Sequence, residues 1–387
     1  MEWTTIMHKI VSPRILTVLT VTLFLAGPPA ISQERTRYPL ADLKALQQTF
    51  VDLADQVRPS VVAIRTYHLR KAAAPDTVVK MPHSQGSGFI IDPDGYIATN
   101  AHVIEAAQAV AVIMQNGLRY EATVLRVDPR SDLAILKVDA EGLPAVRWAN
   151  TNNLRVNQWA FACGNPFGLA NEDGRASITY GVISALGRHM TDRLVGGDPN
   201  RYYGNLIETS AAINPGSSGG PLFNIDGEVI GVVTAIETSS GVNEGHGFAI
   251  PTDAHVRGIL DTLKTGSTFR YGYLGVAVEE VDPPESRRVA DSMQPRGAKI
   301  IHVNLDGPAG SAGLQPNDIV TEYNGTPIQS SDHLIRLVGF TPIGSDASIT
   351  YVRKTVKRKA VVTIADRPIE RVASGGPQEE TAVAHRP

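Results

Sequence analysis

Ile213-Asn214-Pro215-Gly216-Ser217-Ser218-Gly219-Gly220-Pro221-Leu222 sets a serine in a glycine-rich turn that runs into an apolar strand. A serine hydroxyl is a poor nucleophile until one group takes its proton and others stabilise the oxyanion formed on attack. Glycines let such a turn bend sharply enough for the Gly216 and Ser218 amides to point at one spot, with the Ser217 amide nearby. Gly219 and Gly220 leave room for a substrate to approach. The same stretch also reads as a hairpin loop rich in small residues, and the turn alone does not choose between the two.

Two upstream segments bear on that choice. Thr99-Asn100-Ala101-His102-Val103-Ile104 follows the apolar run Gly86-Ser87-Gly88-Phe89-Ile90-Ile91. Ser131-Asp132-Leu133-Ala134-Ile135-Leu136-Lys137-Val138 places an acid before an alternating strand, with Asp128 as the nearest rival acid. Taken singly, His102 reads as a structural histidine and Asp132 as a turn or cap residue. Together the chain order is His, Asp, Ser, the order of the double-barrel serine proteases. In that constellation Ser218 attacks, His102 takes the proton and Asp132 orients the ring.

The segments GSGFII, TNAHVI, DPRSDLAILKV, GNPFGL, ITYGVISALGR, AAINPGSSGGPL and GFAIP, taken jointly, resemble the HtrA (Deg) family of serine proteases. A later region starting at Tyr273-Leu274-Gly275-Val276 resembles the PDZ domain of that family. The resemblance covers roughly residues 45 to 365. It implies a mainly β fold: a chymotrypsin-like double β-barrel over 33–264, then an α+β PDZ domain over 268–366. It implies an ATP-independent endopeptidase acting on unfolded or damaged polypeptides, built as a homotrimer or larger. It also implies that Tyr273, Leu274, Gly275 and Val276 grip the C-terminal carboxylate of a peptide, which pairs with the next strand, Ala277 to Val281. The alternative class is a catalytically silent scaffold or chaperone that acts through its PDZ domain.

Specificity is read by position. Proteases of this type that cut after Lys or Arg carry an acid six residues before the nucleophile, and here that residue is Ala212. The resemblance makes Ile213, Thr234 and Ile236 candidates to line, with Ala212, a small apolar pocket, while Ile213 and Ile236 each read equally well as plain core. The chain departs from the family pattern at Ser217 (usually Asn), Ser210 (usually Asp) and Asn317 (usually Gly). Asparagine tolerates the left-handed backbone, so the turn at Asn317 should survive. The segment His189 to Gly204 is longer than usual and follows Arg188, whose family counterpart sits in a ligand-sensing loop. Leu69 to Ser84 is short for an inhibitory cover.

Composition sets the remaining bounds. A chain of 387 residues accommodates two or three domains, and 35 glycines with 25 prolines favour turns over long helices. A formal net charge of −3 with no basic run gives no indication of nucleic-acid binding. No metal-ligand spacing or nucleotide loop appears, so no cofactor is expected. His8, Lys9 and Arg14 before the apolar run Ile15 to Ala26 fit a signal peptide over 1–32 and an exported, extracytoplasmic protein. If uncleaved, this segment is the one route to membrane association. The lone cysteine, Cys163, precludes an intramolecular disulfide and reads as a buried small hydrophobe. Ala41 to Val57 reads as a helix with Leu43, Leu46, Phe50 and Leu53 at helical spacing, and the tail 367–387 as disordered.

Overall fold

From Val61 to Val138 short apolar runs alternate with turn residues, and this pattern closes a six-stranded barrel. The computed structural model describes residues 39–71, 78–190, 201–234, 245–281 and 297–368. The signal-like N-terminus, Ile236 and the tail beyond 368 lie outside those residues. Helix α1, Leu40–Val57, is one residue longer than its apolar spacing predicts. Leu53 and Val57 are buried, close to Gly227, whereas Leu43 and Leu46 are exposed.

The first barrel comprises β1 Val61–Lys71, β2 Val78–Asp92, β3 Tyr96–Asn100, β4 Ala109–Ile113, β5 Arg119–Asp128 and β6 Leu133–Val138. Their order is β1-β2-β3-β6-β5-β4, with β4 back on β1. Val62, Ile64, Ile90, Ile97, Val112 and Leu136 fill the interior without solvent contact. Sequence reading did not pick out β3, because Pro93-Asp94-Gly95 reads as a turn and only Tyr96 and Ile97 open an apolar run. Yet β3 is the strand that joins β2 to β6. It leads directly into the short helix α2, Ala101–Ile104, which carries His102.

The second barrel is built from β8 Trp159–Gly164, β9 Ser177–Met190, β10 Tyr203–Thr209, β11 Pro221–Phe223, β12 Glu228–Thr234 and β13 Gly247–Pro251. The ring runs β11-β8-β9-β10-β13-β12, and pairing of β12 with β11 closes it. The two-residue strand β7, Arg147–Trp148, adds in parallel to β12. Ile183, Ile207, Leu222, Ile230 and Val233 lie in its core. Helix α3, Ala254–Lys264, follows, and the Asp253 carboxylate caps it by accepting from the amides of His255 and Val256, each at 3.0 Å.

The third unit is α+β. It holds β14 Gly272–Tyr273, β15 Val276–Glu280, β16 Ala298–Val303, α4 Pro308–Ser311, β17 Ile319–Tyr323, β18 Thr326–Pro327, α5 Ser331–Gly339, β19 Asp346–Arg353, β20 Val356–Thr363 and β21 Ala365–Asp366. The sheet order β15-β16-β17-β19-β20 leaves β15 at an edge. The Ser330 hydroxyl accepts from the His333 amide at 3.0 Å and caps α5. Asn317 adopts the left-handed backbone at φ +71°. The architecture is therefore the expected one: mainly β, a chymotrypsin-like pair of barrels followed by an α+β PDZ unit.

Leu136 is fully buried in the first barrel. Leu136→Ala should destabilise the protein by about 2–5 kcal/mol, seen as a lowered Tm in thermal melts. An unchanged Tm would mean that this barrel does not limit stability.

Candidate active site

Asp132 is the most tightly held side chain of the site. It is completely buried, in the turn between β5 and β6, with a left-handed φ of +56°. One carboxylate oxygen, Oδ2, lies 2.7 Å from His102 Nδ1. The same oxygen accepts from the Tyr203 hydroxyl at 2.6 Å. The other, Oδ1, accepts from the His102 amide at 3.0 Å and lies 3.7 Å from Arg201 Nε. The Asp132 carbonyl in turn accepts from the Asn100 side chain at 2.9 Å and from the Ala101 amide at 3.0 Å. Burial by itself would raise the Asp132 pKa. The facing His102, the Arg201 charge and the Tyr203 hydrogen bond outweigh it, so the carboxyl sits below its ordinary range. The Tyr203 phenol moves the opposite way, pushed up by burial and by the carboxylate it faces.

Ser218 is buried in the loop before β11, and its carbonyl accepts from the Ser87 amide at 2.8 Å. Gly216 adopts φ +96°, where a side chain would be strained, and a Cβ there would come within 2.3 Å of the Asn165 carbonyl. Among the described residues the Gly216 amide has no acceptor. The Ser217 amide, counted above with the oxyanion donors, is taken up by the Asn214 carbonyl at 2.8 Å. The turn therefore leaves the Gly216 amide open to an oxyanion and withdraws that of Ser217. A Cβ at Gly219 would stand 2.3 Å from both the Ser87 carbonyl and the Thr99 hydroxyl, so the two barrels meet there too closely for any side chain.

The other expected residues each have partners of their own. Ile213 is buried in the second barrel's core, and Ala212 is exposed with its carbonyl accepting from Thr179 Oγ1 at 2.8 Å. Thr234, expected in the pocket, stands beside Asp132, its hydroxyl 3.5 Å from Oδ2 and 3.5 Å from the Tyr203 hydroxyl. Strand alternation explains this: Val233 faces the barrel core, so Thr234 faces the other side. Asp128 is turned away from His102 towards Ser131 and Tyr271. Ser210 Oγ accepts from the Val182 amide at 3.0 Å. Arg188 Nε lies 2.6 Å and His246 Nδ1 2.8 Å from the two oxygens of buried Glu208. Cys163 is buried, and burial pushes its thiol up to about 12, which leaves no thiolate for chemistry.

Sequence reading missed Tyr203, Arg201 and Ser87 as site residues. Tyr203 had a faint signal, a polar-tipped aromatic at the start of β10. Ser87 had one in the small residues Gly86-Ser87-Gly88. Neither shows its partner, which lies 71 residues away for Tyr203 and 129 for Ser87.

Residues 86–232, which contain His102, Asp132 and Ser218, match the trypsin-like peptidase domain family, and residues 272–364 match the PDZ domain family. A probable periplasmic serine endoprotease, DegP-like, from Halomonas elongata is 41% identical over 304 residues, covering 78% of this chain and 60% of that protein. A protein of the same description from Pseudomonas savastanoi pv. phaseolicola is 37% identical over 350 residues, covering 88% of this chain and 69% of its own length. The chain belongs to the HtrA (DegP-like) family of serine proteases. Among solved structures, the HtrA-type protease AlgW with a decapeptide superposes at a TM-score of 0.68 and 29% identity, covering 83% of this chain and 99% of that one. This HtrA chain spans about three-fifths of the length of the first two curated relatives, 60% and 57%.

Tyr203→Phe removes a donor to a buried carboxylate, and such bonds contribute about 1.5–3 kcal/mol. Because the bond helps hold the Asp132 pKa below its ordinary 3.8, its stabilisation is present above that value and is lost as pH falls through the lower folded one. The gap in stability between wild type and variant, measured by melts across pH, should be full at neutral pH and close in acid. A gap constant with pH would contradict the charge coupling.

Proposed function

We propose that this protein is an ATP-independent serine endopeptidase that degrades unfolded or damaged polypeptides outside the cytoplasm. The observation that carries this reading is the buried Asp132 locked 2.7 Å from His102, in a chain whose Ser218 turn keeps the Gly216 amide uncommitted. In this reading Ser218 Oγ attacks the peptide carbonyl while His102 takes its proton and later gives it to the leaving amine. Asp132 stays ionised, holds the ring in one tautomer and stabilises the imidazolium. The Gly216 and Ser218 amides meet the developing oxyanion. Losing one such donor costs about 2.7–4 kcal/mol in rate, so the loop conformation is itself a control on activity.

The PDZ unit takes C-terminal peptides in the groove between edge strand β15 and helix α5. Its supports are the edge position of β15 among the described strands and the similarity to AlgW, a protease whose solved structure is one with a decapeptide. Tyr273 to Val276 would receive the carboxylate. Ala212, with no acid in its place, favours a small aliphatic residue before the scissile bond. Export is supported by relatives named periplasmic. No described helix is long and apolar enough to cross a membrane. The assembly is a homotrimer or larger, and exposed Leu43 and Leu46 on α1 suit a subunit contact.

Ser218→Ala should fold normally, lose fluorophosphonate labelling and lose casein cleavage by on the order of 10⁴-fold or more. Labelling or near wild-type cleavage in that variant would refute the mechanism and favour a different nucleophile. If wild type itself neither labels nor cleaves, the silent-scaffold alternative stands.

Mass-spectrometric mapping of casein products should show Val and Ala, rather than Lys and Arg, before the cut bonds. A Lys/Arg majority would rule out the pocket built around Ala212.

A further inference from the structure

The turn that carries Asp132 also reaches the PDZ groove. The carboxylate end of that groove is lined by Tyr273 to Val276, by Leu334 and Val338 of α5, and by two arginines, Arg130 and Arg367. Among the described residues no Asp or Glu lines it. Arg367 comes from the end of the PDZ unit, where its amide donates to the Tyr271 carbonyl at 2.9 Å. Arg130 comes from the protease, in the sequence Asp128-Pro129-Arg130-Ser131-Asp132.

Arg130 is held in an unusual way. Its guanidinium carbon lies 5.2 Å from the Tyr202 ring centre and 5.3 Å from that of Tyr271, a cation over two aromatic faces. Among the described residues no acceptor lies within hydrogen-bond distance of its five N–H donors. The side chain is half-buried. Desolvation, and then the like charge of Arg367, lower its pKa against the opposing pull of Tyr271, Tyr202 and Asp128. A cation that is stacked, short of acceptors and paired with a second cation suits an anion better than it suits water.

The same residue is tied to Asp132. Its carbonyl accepts from the Tyr202 amide at 2.8 Å, and Tyr202 precedes Tyr203, the phenol that holds Asp132. The Tyr202 hydroxyl donates to Asp332 Oδ1 at 3.0 Å, at the start of α5. Tyr271 donates to Asp128 in the same turn.

We propose that Arg130 is the cationic ligand for the C-terminal carboxylate of a peptide seated in the PDZ groove, so that both domains hold the peptide's end and its binding steadies the Asp132 turn. This rests on the reading of the groove as a C-terminal peptide site. The occupant is an extended peptide with a free carboxylate and an apolar last side chain. The carboxylate meets Arg130, Arg367 and the loop amides. The last side chain packs on Leu334 and Val338, and the strand adds to the edge of β15. A peptide that fits the active arrangement of the turn more tightly than the resting one shifts the population towards it.

The test uses the full-length Ser218→Ala protein, calorimetry, and a peptide ending in valine beside its C-terminally amidated twin. The free acid should bind roughly 10–100-fold tighter than the amide, the range for hydrogen bonds to charged groups. In Arg130→Gln and Arg130→Met the acid should lose that advantage while the amide's affinity stays put, and Arg130→Lys should keep part of it. Equal affinities for acid and amide in the parent protein would overturn the groove reading and this proposal with it. Full discrimination in the parent that persists in the Gln and Met variants would overturn the role of Arg130 alone. A measurement that needs no variant at Arg130 is phenylglyoxal labelling of its guanidinium, read by mass spectrometry. The acid peptide should protect it and the amide should not, and equal labelling with both would overturn the contact. With the Ser218 nucleophile restored, the acid peptide should raise casein cleavage, and Arg130→Gln should bring the ratio with and without peptide to one. A parent protein that does not respond, or a variant that responds as before, would overturn the coupling.

Discussion

Ser87 ties the two barrels together at the point where chemistry is expected. Its hydroxyl donates to the Gly216 carbonyl at 2.7 Å and accepts from the Asn165 amide at 2.7 Å. Its amide donates to the Ser218 carbonyl at 2.8 Å, and its carbonyl accepts from the Thr99 hydroxyl at 2.7 Å. Every polar group of one buried residue is used, in four bonds that reach three segments: the Ser218 turn, the Asn165 segment and β3. In a dry environment these bonds are mutually dependent, since breaking one leaves its partner unsatisfied at a cost of about 1–3 kcal/mol. The nucleophile loop therefore cannot shift without disturbing β2, β3 and the Asn165 segment. With Gly219 too close to Ser87 and Thr99 to carry a side chain, this constraint accounts for the small residues on both sides of the contact.

A second layer of polar contacts holds Asp132 from behind. Tyr203 and Thr234 come from the second barrel, while Asp132 and His102 come from the first. Both barrels thus supply the groups that fix the Asp132 charge. A carboxylate with no solvent contact is tolerated because its hydrogen-bonding and charge partners outweigh the loss of hydration. The left-handed backbone at Asp132 belongs to the same arrangement, a local strain held by surrounding hydrogen bonds.

The PDZ unit joins the protease through paired polar contacts and through aromatic stacking of His255 on Phe340, with ring centres 4.2 Å apart. Arg336 of α5 lies 3.2 Å from Asp253, the residue that caps α3. Tyr202 reaches Asp332, and Tyr271 reaches Asp128. Each contact engages a helix start or the turn that carries Asp132, so the seam touches elements that matter to both units. Arg130 lies in the middle of it, between the two tyrosine rings.

Much of this was legible in the chain itself. Short alternating apolar runs broken by Gly, Pro and Asp set the barrels, because a period of two can bury one face of a strand and no other element. The glycine-framed Ser218 and the order His102, Asp132, Ser218 named the candidate reacting groups, because the proposed chemistry needs those side chains whatever the fold. Asn317 could be trusted in a left-handed turn because asparagine tolerates that conformation. What the sequence could not supply was partnership across distance. Strand β3 escapes a reading by pattern because its role is to bridge β2 and β6, which its own five residues do not reveal. Thr234, expected in a pocket, stands at Asp132, and the Ser217 amide, expected to be available, is used by Asn214. Tyr203, Ser87 and Arg130 carry ordinary residue types at unremarkable positions. Hydrogen bonds and cation–aromatic contacts act over a few ångströms, and only the folded chain brings residues 71 to 143 positions apart within that range.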